Sequence, residues 1–248
     1  MTGRTLEELG LAAAPRDHPL TYPGAWPDDS VLLHGDRLLP LEELARAGRT
    51  PVLAVGSNAS PAQLRHKMAE FGTDGPVPMT LAQVSGVEVG VSAHVSRMGY
   101  VSASPVRAPR TTTRLFVIWL DPAQLEVIDA SEGVPLPHGN FRRAWLPAPD
   151  VRVELADGGV LPGVFCYVNR HGVLRGDLGA PRRHPGQREL LAGLLRESAP
   201  LRELFGTTPE TFSARSRGDA ELCARGTRLF AEHAWVTESG LEPYTVAL

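Results

Sequence analysis

Between Pro51 and Asn169 the sequence runs as a series of short apolar segments of strand length, each cut by Gly, Pro or Asp, and this spacing constrains the fold more than any other feature. The segments are Val52–Val55, Val84–Val95, Tyr100–Ser104, Arg114–Leu120, Arg142–Leu146, Val151–Leu155 and Val160–Val168. The middle of the chain therefore reads as a β-rich core. With 248 residues, 42% of them hydrophobic, the chain can bury such a core without disulfide or metal staples.

Two helices interrupt the strands, and both start with the same chemistry. Ser60-Pro61-Ala62-Gln63 and Asp121-Pro122-Ala123-Gln124 each offer an oxygen at the N-cap, Pro at the first helical position and Gln to close a capping box. In the first helix Leu64, Met68 and Phe71 form an apolar stripe that ends at Gly72. In the second, Leu125 and Ile128 face inward and Gly133 marks the stop.

The flanks differ from this core. Residues 1–50 are rich in Pro, Gly and Asp and predict an N-terminal extension with one short helix, packed on the core domain of residues 51–169. Residues 170–248 predict a solvated basic loop (Arg170, His171, Arg182, Arg183, His184) and then helices over Gly186–Ser198 and Asp219–His233 that pack on the same domain.

Charge and missing motifs narrow the function classes. A formal net charge of -3 gives no basic footprint, so nucleic acid is not an expected partner. No apolar run approaches a membrane span, and the first residues lack a signal architecture, so no membrane is expected either. Cys166 and Cys223 stand alone without paired spacing, which fits a reducing, cytoplasmic location. Of the 25 Lys and Arg residues only Lys67 is a lysine, a bias that reads as codon composition. There is no G-x-S-x-G elbow, P-loop, G-x-G-x-x-G fingerprint or H-E-x-x-H helix, so no cofactor and no metal is expected. The eight histidines are scattered and read as structural or solvated.

Two short elements remain. A strand ending in Gly56-Ser57-Asn58 just ahead of a helix can aim several backbone N–H groups at one point, forming an anion cradle. Glu132 closes the second helix. A carboxylate at the negative end of a helix dipole and shielded from water has its ionised form disfavoured and can exchange protons near neutrality. Arg142 and Arg143, close in sequence, would act in the opposite sense.

Strand-Gly56-Ser57-Asn58, followed some seventy residues later by strand, helix, Glu132-Gly133-Val134 and then Phe141-Arg142-Arg143, resembles the gamma-glutamylcyclotransferase family. The match covers roughly Pro51 to Val168. The resemblance implies an α+β fold: a small mixed, mostly antiparallel β-barrel with flanking helices. It implies a small-molecule γ-glutamyl substrate that is cyclised to 5-oxoproline with release of an amine. Glu132 would be the catalytic acid/base; Val55, Gly56, Ser57, Asn58 and Ala59 would form the substrate loop, and Phe141 and Tyr167 would line the pocket.

This chain departs from the family pattern at three places. Val55 stands where a tyrosine usually precedes the loop, Ser131 where a bulkier residue often precedes the Glu, and Phe141 where a tyrosine is frequent. The acyl or amine partner is therefore open. So are two other readings on the same fold: a non-catalytic small-molecule binding or interaction module, and an amide hydrolase or acyl transferase of a biosynthetic pathway. The N-terminal segment or the helical tail could cover the pocket as a lid or mediate assembly into a homo-oligomer.

Overall fold

The structure, a computed structural model, describes residues 3–176 and 179–247. Among the described residues, eleven strands and six α-helices make a mixed α+β fold. In chain order the strands are β1 (Arg4–Thr5), β2 (Val31–His34), β3 (Arg37–Pro40), β4 (Thr50–Ala54), β5 (Val77–Val91), β6 (Ala103–Leu120), β7 (Phe141–Pro147), β8 (Arg152–Leu155), β9 (Gly163–Asn169), β10 (Val173–Leu174) and β11 (Val236–Thr237). The helices are α1 (Pro61–Glu70), α2 (Pro122–Glu132), α3 (Gln187–Glu197), α4 (Ala199–Phe205), α5 (Pro209–Ser216) and α6 (Ala220–Glu232).

One nine-stranded sheet runs in the order β1-β3-β2-β5-β6-β4-β9-β7, with β8 attached to β5. Its pairings are antiparallel except for β4 with β9. The alternation of side chains explains the unbroken apolar run at the end of β6. Phe116, Ile118 and Leu120 enter a cluster with Val52 and Ala54 of β4, under α1 and α2. Leu115, Val117 and Trp119 enter a second cluster with Leu53, Ala144, Val153 and Val164. A strand buried on both faces has no polar alternation to display.

The expected barrel is not closed. Inward residues of β7, β8 and β9 share the second cluster with β4, β5 and β6, so the sheet wraps this core. Its hydrogen-bonded path nevertheless ends at β1 and β7. The gap lies at β8, which has only four residues, pairs with β5 and meets the segment before β9 through the isolated Glu154–Val160 bridge.

The β5–β6 hairpin is longer than its sequence suggests. β5 starts at Val77 and ends at Val91, not at Val95, and β6 takes in only Ala103 and Ser104 of the expected Tyr100–Ser104 segment and runs on unbroken through the expected Arg114–Leu120. Two prolines hide it, Pro105 near its buried start and Pro109 in the partly exposed middle that also carries Arg107, Arg110 and Arg114. The register shifts between Ser85 and Gly86, where Gly86 adopts φ +98° and a side chain would meet the Asp150 carbonyl.

The flanks join the same body. The β2–β3 hairpin pairs with the start of β5 through Val31–Leu33, and Leu6, Ala14, Leu33 and Leu38 enter the first cluster. Helices α3 to α6 surround a third cluster with Phe205, Phe212 and Phe230 fully buried against Val91, Ala93 and Val101. The basic loop carries exposed side chains, Arg183 at 78%, and its charges also bond to the body. Arg170 donates to the Phe141 and Pro137 carbonyls, Arg182 pairs with Glu197 at 2.8 Å and Arg183 with Glu88 at 2.7 Å. Both cysteine thiols are buried and unpaired. Burial pushes Cys166 up to about 12 and Cys223 up to about 11, far from the range of a reactive thiolate.

Candidate active site

A cavity of about 750 Å3 opens where β4 passes into α1. Local sequence sets this junction. After Ala54 the chain turns through Val55 and Gly56 into a 3-10 turn, Ser57–Ala59, and Pro61 then starts α1. Gly56 is required by room, since a Cβ there would overlap the Tyr22 hydroxyl. The expected capping box of α1 is absent: Ser60 caps nothing, its buried hydroxyl has no partner among the described residues, and Gln63 Oε1 accepts instead from the Arg16 backbone N–H at 2.9 Å. The N-terminal segment displaces the local cap. Phe71 also leaves its predicted stripe and is 49% exposed.

Glu132 reaches this turn through the topology. β6 runs antiparallel to β4 and ends opposite Thr50, at the far end from the turn. The eleven residues of α2 then travel back about 16 Å, comparable to the length of β4. Here the capping box forms as expected, with the Gln124 N–H donating to Asp121 Oδ1 at 2.9 Å and the Asp121 N–H to Gln124 Oε1 at 3.2 Å. Gly133, at φ +73°, ends the helix in the left-handed region.

The two elements meet. Asn58 Nδ2 donates to Glu132 Oε1 at 3.1 Å across 74 residues of sequence. The same oxygen accepts from Lys67 Nζ at 2.8 Å, and Lys67 also donates to Asn58 Oδ1 at 2.7 Å. Lys67, one turn from the end of α1, is 5% exposed. Glu132 is thus no lone carboxylate; it is clamped by the single lysine of the chain. Glu132 Oε2 has no hydrogen-bond partner among the described residues.

The nearby arginine goes elsewhere. Arg143 Nη1 lies 2.9 Å from Asp129 Oδ2, and Tyr167 Oη donates to Asp129 Oδ1 at 2.8 Å. Burial holds the Asp129 carboxyl above its usual range despite both partners, and burial with the Asp129 charge pushes the Tyr167 phenol well up. Tyr167 is therefore a protonated donor committed to Asp129 beneath the cavity wall. Ser131 turns its hydroxyl back to the Ile128 carbonyl.

Of the residues expected in the site, Val55, Gly56, Ser57 and Asn58 line the cavity together with Glu132, Phe141 and Tyr167. Ala59 does not; it is fully buried in the first core cluster. Tyr22, from the N-terminal segment, packs its hydroxyl against Gly56 and accepts there from the Ala103 N–H at 2.9 Å. Burial pushes this phenol far above its ordinary value.

Sequence reasoning missed Lys67, Tyr22 and the histidines of the wall. Lys67 had a signal, its uniqueness among 25 basic residues. Tyr22 had none, because its place depends on a contact across 81 positions. His94, His138 and His171 line the cavity as well. Among the described residues no three His, Cys, Asp or Glu side chains stand together as a metal-binding group, and no helix is long and apolar enough to cross a membrane.

No family model and no curated protein matches this chain. Among solved structures, one described as "Gamma-glutamyl cyclotransferase" aligns over 72% of this chain and 98% of its own, with 12% identity and a TM-score of 0.37. A likeness at that level carries no argument for fold or activity, and the site has to be read from its own residues.

Proposed function

We propose that the protein is a gamma-glutamylcyclotransferase-type enzyme that closes a γ-glutamyl amine to 5-oxoproline and releases the amine. One observation carries the reading: the Gly56-Ser57-Asn58 turn and the Glu132-Gly133 helix end, the two elements of the sequence resemblance, share a direct hydrogen bond in a cavity wall.

The charges suit the free end of such a substrate, which carries an ammonium and a carboxylate on one carbon. Glu132 Oε2 is open to the ammonium. Lys67 uses two of its three N–H groups on Asn58 and Glu132, which leaves one for the carboxylate. Held this way, the α-nitrogen gives a proton to Glu132 and attacks the γ-carbonyl carbon. As the new C–N bond forms and the old one breaks, Glu132 hands this proton to the departing nitrogen and then relays the second proton shed by the ring nitrogen to the released amine, which leaves as an ammonium while Glu132 ends as the carboxylate it began as. Five-ring closure within one molecule draws most of its advantage from proximity.

The test is a panel of γ-glutamyl amines offered to wild type and Glu132→Gln, with 5-oxoproline measured by mass spectrometry. Release by wild type and a loss of about 10²–10⁴-fold in the variant are expected. Glutamate or a new amide as product would replace the reading with a hydrolase or acyl transferase. Binding without turnover, unaffected by Glu132→Gln, would leave a binding module.

A further inference from the structure

A second polar group lines the same cavity and has no part in the reaction above. The backbone N–H of His171 donates to Asn169 Oδ1 at 2.8 Å. A backbone N–H can only donate, so that side of the Asn169 amide is its oxygen. The other side, the NH2, lies 2.8 Å from His94 Nδ1. An amide NH2 also only donates, so Nδ1 accepts and the imidazole proton sits on Nε2. The ring is fixed in place, edge-on to Phe141 with centroids 5.5 Å apart and stacked on His171 at 5.7 Å. His94 is 3% exposed and borders the cavity, and its Nε2 has no hydrogen-bond partner among the described residues.

We infer that His94 is a fixed Nε2–H donor to the ligand, with Asn169 as the positioning residue that sets its tautomer, and that it binds the substrate oxygen that gains negative charge. Assigning that oxygen to the γ-carbonyl rests on the γ-glutamyl reading; the donor itself does not. A donor already oriented in a water-poor wall stabilises developing charge without reorganising. It must also remain neutral, because an imidazolium carries a proton on Nδ1 as well and could no longer accept from the Asn169 NH2 that holds the ring in place. Burial, helped by the neighbouring His171 imidazole, pushes His94 down to about 3, which favours the neutral ring near neutral pH. The groups facing it are Asn169, Phe141 and His171, the last beside Arg170; none is an anion that would recharge the ring.

Histidine-labelled protein read by 15N–1H NMR tests the donor without turnover. The expected spectrum has His94 protonated at Nε2 alone and unchanged across roughly pH 5 to 8. A proton on Nδ1, or titration near about 6.5, overturns the inference. Addition of 5-oxo-L-proline is expected to shift the His94 Nε2–H resonance; movement of other cavity resonances with this one fixed overturns the ligand contact. In kinetics, His94→Phe lowers lactam release about 10²–10³-fold, mostly in kcat, while His94→Gln, which can offer an amide N–H, keeps more of it. Equal losses in the two variants would reduce His94 to packing. If wild type releases no lactam from any γ-glutamyl amine, the proposed reaction fails, and the histidine spectrum alone decides the donor.

Discussion

Lys67 Nζ donates to Asn58 Oδ1 at 2.7 Å, and this bond determines which way the Asn58 amide faces, with its NH2 turned to Glu132. Lys67, Asn58 and Glu132 thereby bond one another in the cavity wall, with Lys67 itself buried. Breaking such a pair from one side strands a buried charge, which costs about 3–5 kcal/mol, whereas removing both charges costs far less. Lys67→Met is therefore expected to lower the free energy of unfolding by that order, and Lys67→Met/Glu132→Gln to recover most of the loss. Urea titration of the four proteins measures the coupling; a double variant as unstable as the sum of the singles would mean that the contact contributes nothing.

Because the chain has one lysine, its reactivity can be read without mutagenesis. Acetic anhydride is expected to modify the α-amine quickly and Lys67 slowly, as the ammonium is 5% exposed and bonded twice. Glu132→Gln, which removes the charged partner, is expected to speed the second acetylation. Intact-mass spectrometry follows both events, and two labels appearing at equal rates in wild type would contradict the buried pair.

What could be read from the sequence was whatever local chemistry dictates. The capping box of α2 formed because Asp121 and Gln124 answer each other within three residues. The same letters before α1 failed, since a segment 47 positions away took Gln63 for itself. The strand ending at Leu120 showed as an apolar run, while the part of β6 with Pro105 and Pro109 did not. Helices α4 and α5 were missed although Ser198 and Thr208 cap them, because each is only seven or eight residues long and shows little periodicity. Within the site, Gly56-Ser57-Asn58 and Glu132 were visible as motifs. Lys67 was visible only as an oddity of composition, and Tyr22 and His94 were placed by long-range packing that no window of sequence contains.

The absence of a side chain at residue 56 and the Tyr22 hydroxyl are two sides of one contact. Gly56→Ala would overfill the turn and is expected to cost about 1–3 kcal/mol. Tyr22→Phe leaves the Ala103 N–H without its partner, a loss of about 1–3 kcal/mol. In the double variant the methyl gains the space the hydroxyl vacated, so the combined loss should fall short of the sum by more than about 0.5 kcal/mol. Denaturant unfolding of all three variants gives the coupling directly. Strict additivity would show that the N-terminal segment does not rest on the turn.

Three histidines whose ionised form is disfavoured in the fold, buried His94 and the less enclosed His171 and His184, make the protein sensitive to mild acid. Burial lowers His94 to about 3 and also lowers His171 and His184, while each returns to an ordinary value of 6.5 on unfolding. A depressed folded value means that the unfolded chain binds the extra proton, so the stabilisation is present above about 6.5 and is lost as pH falls toward the folded values. Buried His94 contributes a slope approaching about 1.4 kcal/mol per pH unit below about 6.5, and the more exposed His171 and His184 contribute less. Asp129 acts in the opposite sense: its folded value is raised, so its contribution is present below its ordinary 3.8 and is lost as pH rises through the raised value. Comparing wild type with His94→Phe removes this common background. Between about pH 6 and 4 the variant should lose stability less steeply, by close to one proton's slope, whatever its stability at neutral pH. Chemical unfolding at a series of pH values provides the slopes; parallel curves for the two proteins would show that His94 takes up its proton in the folded state and is not the neutral donor described above.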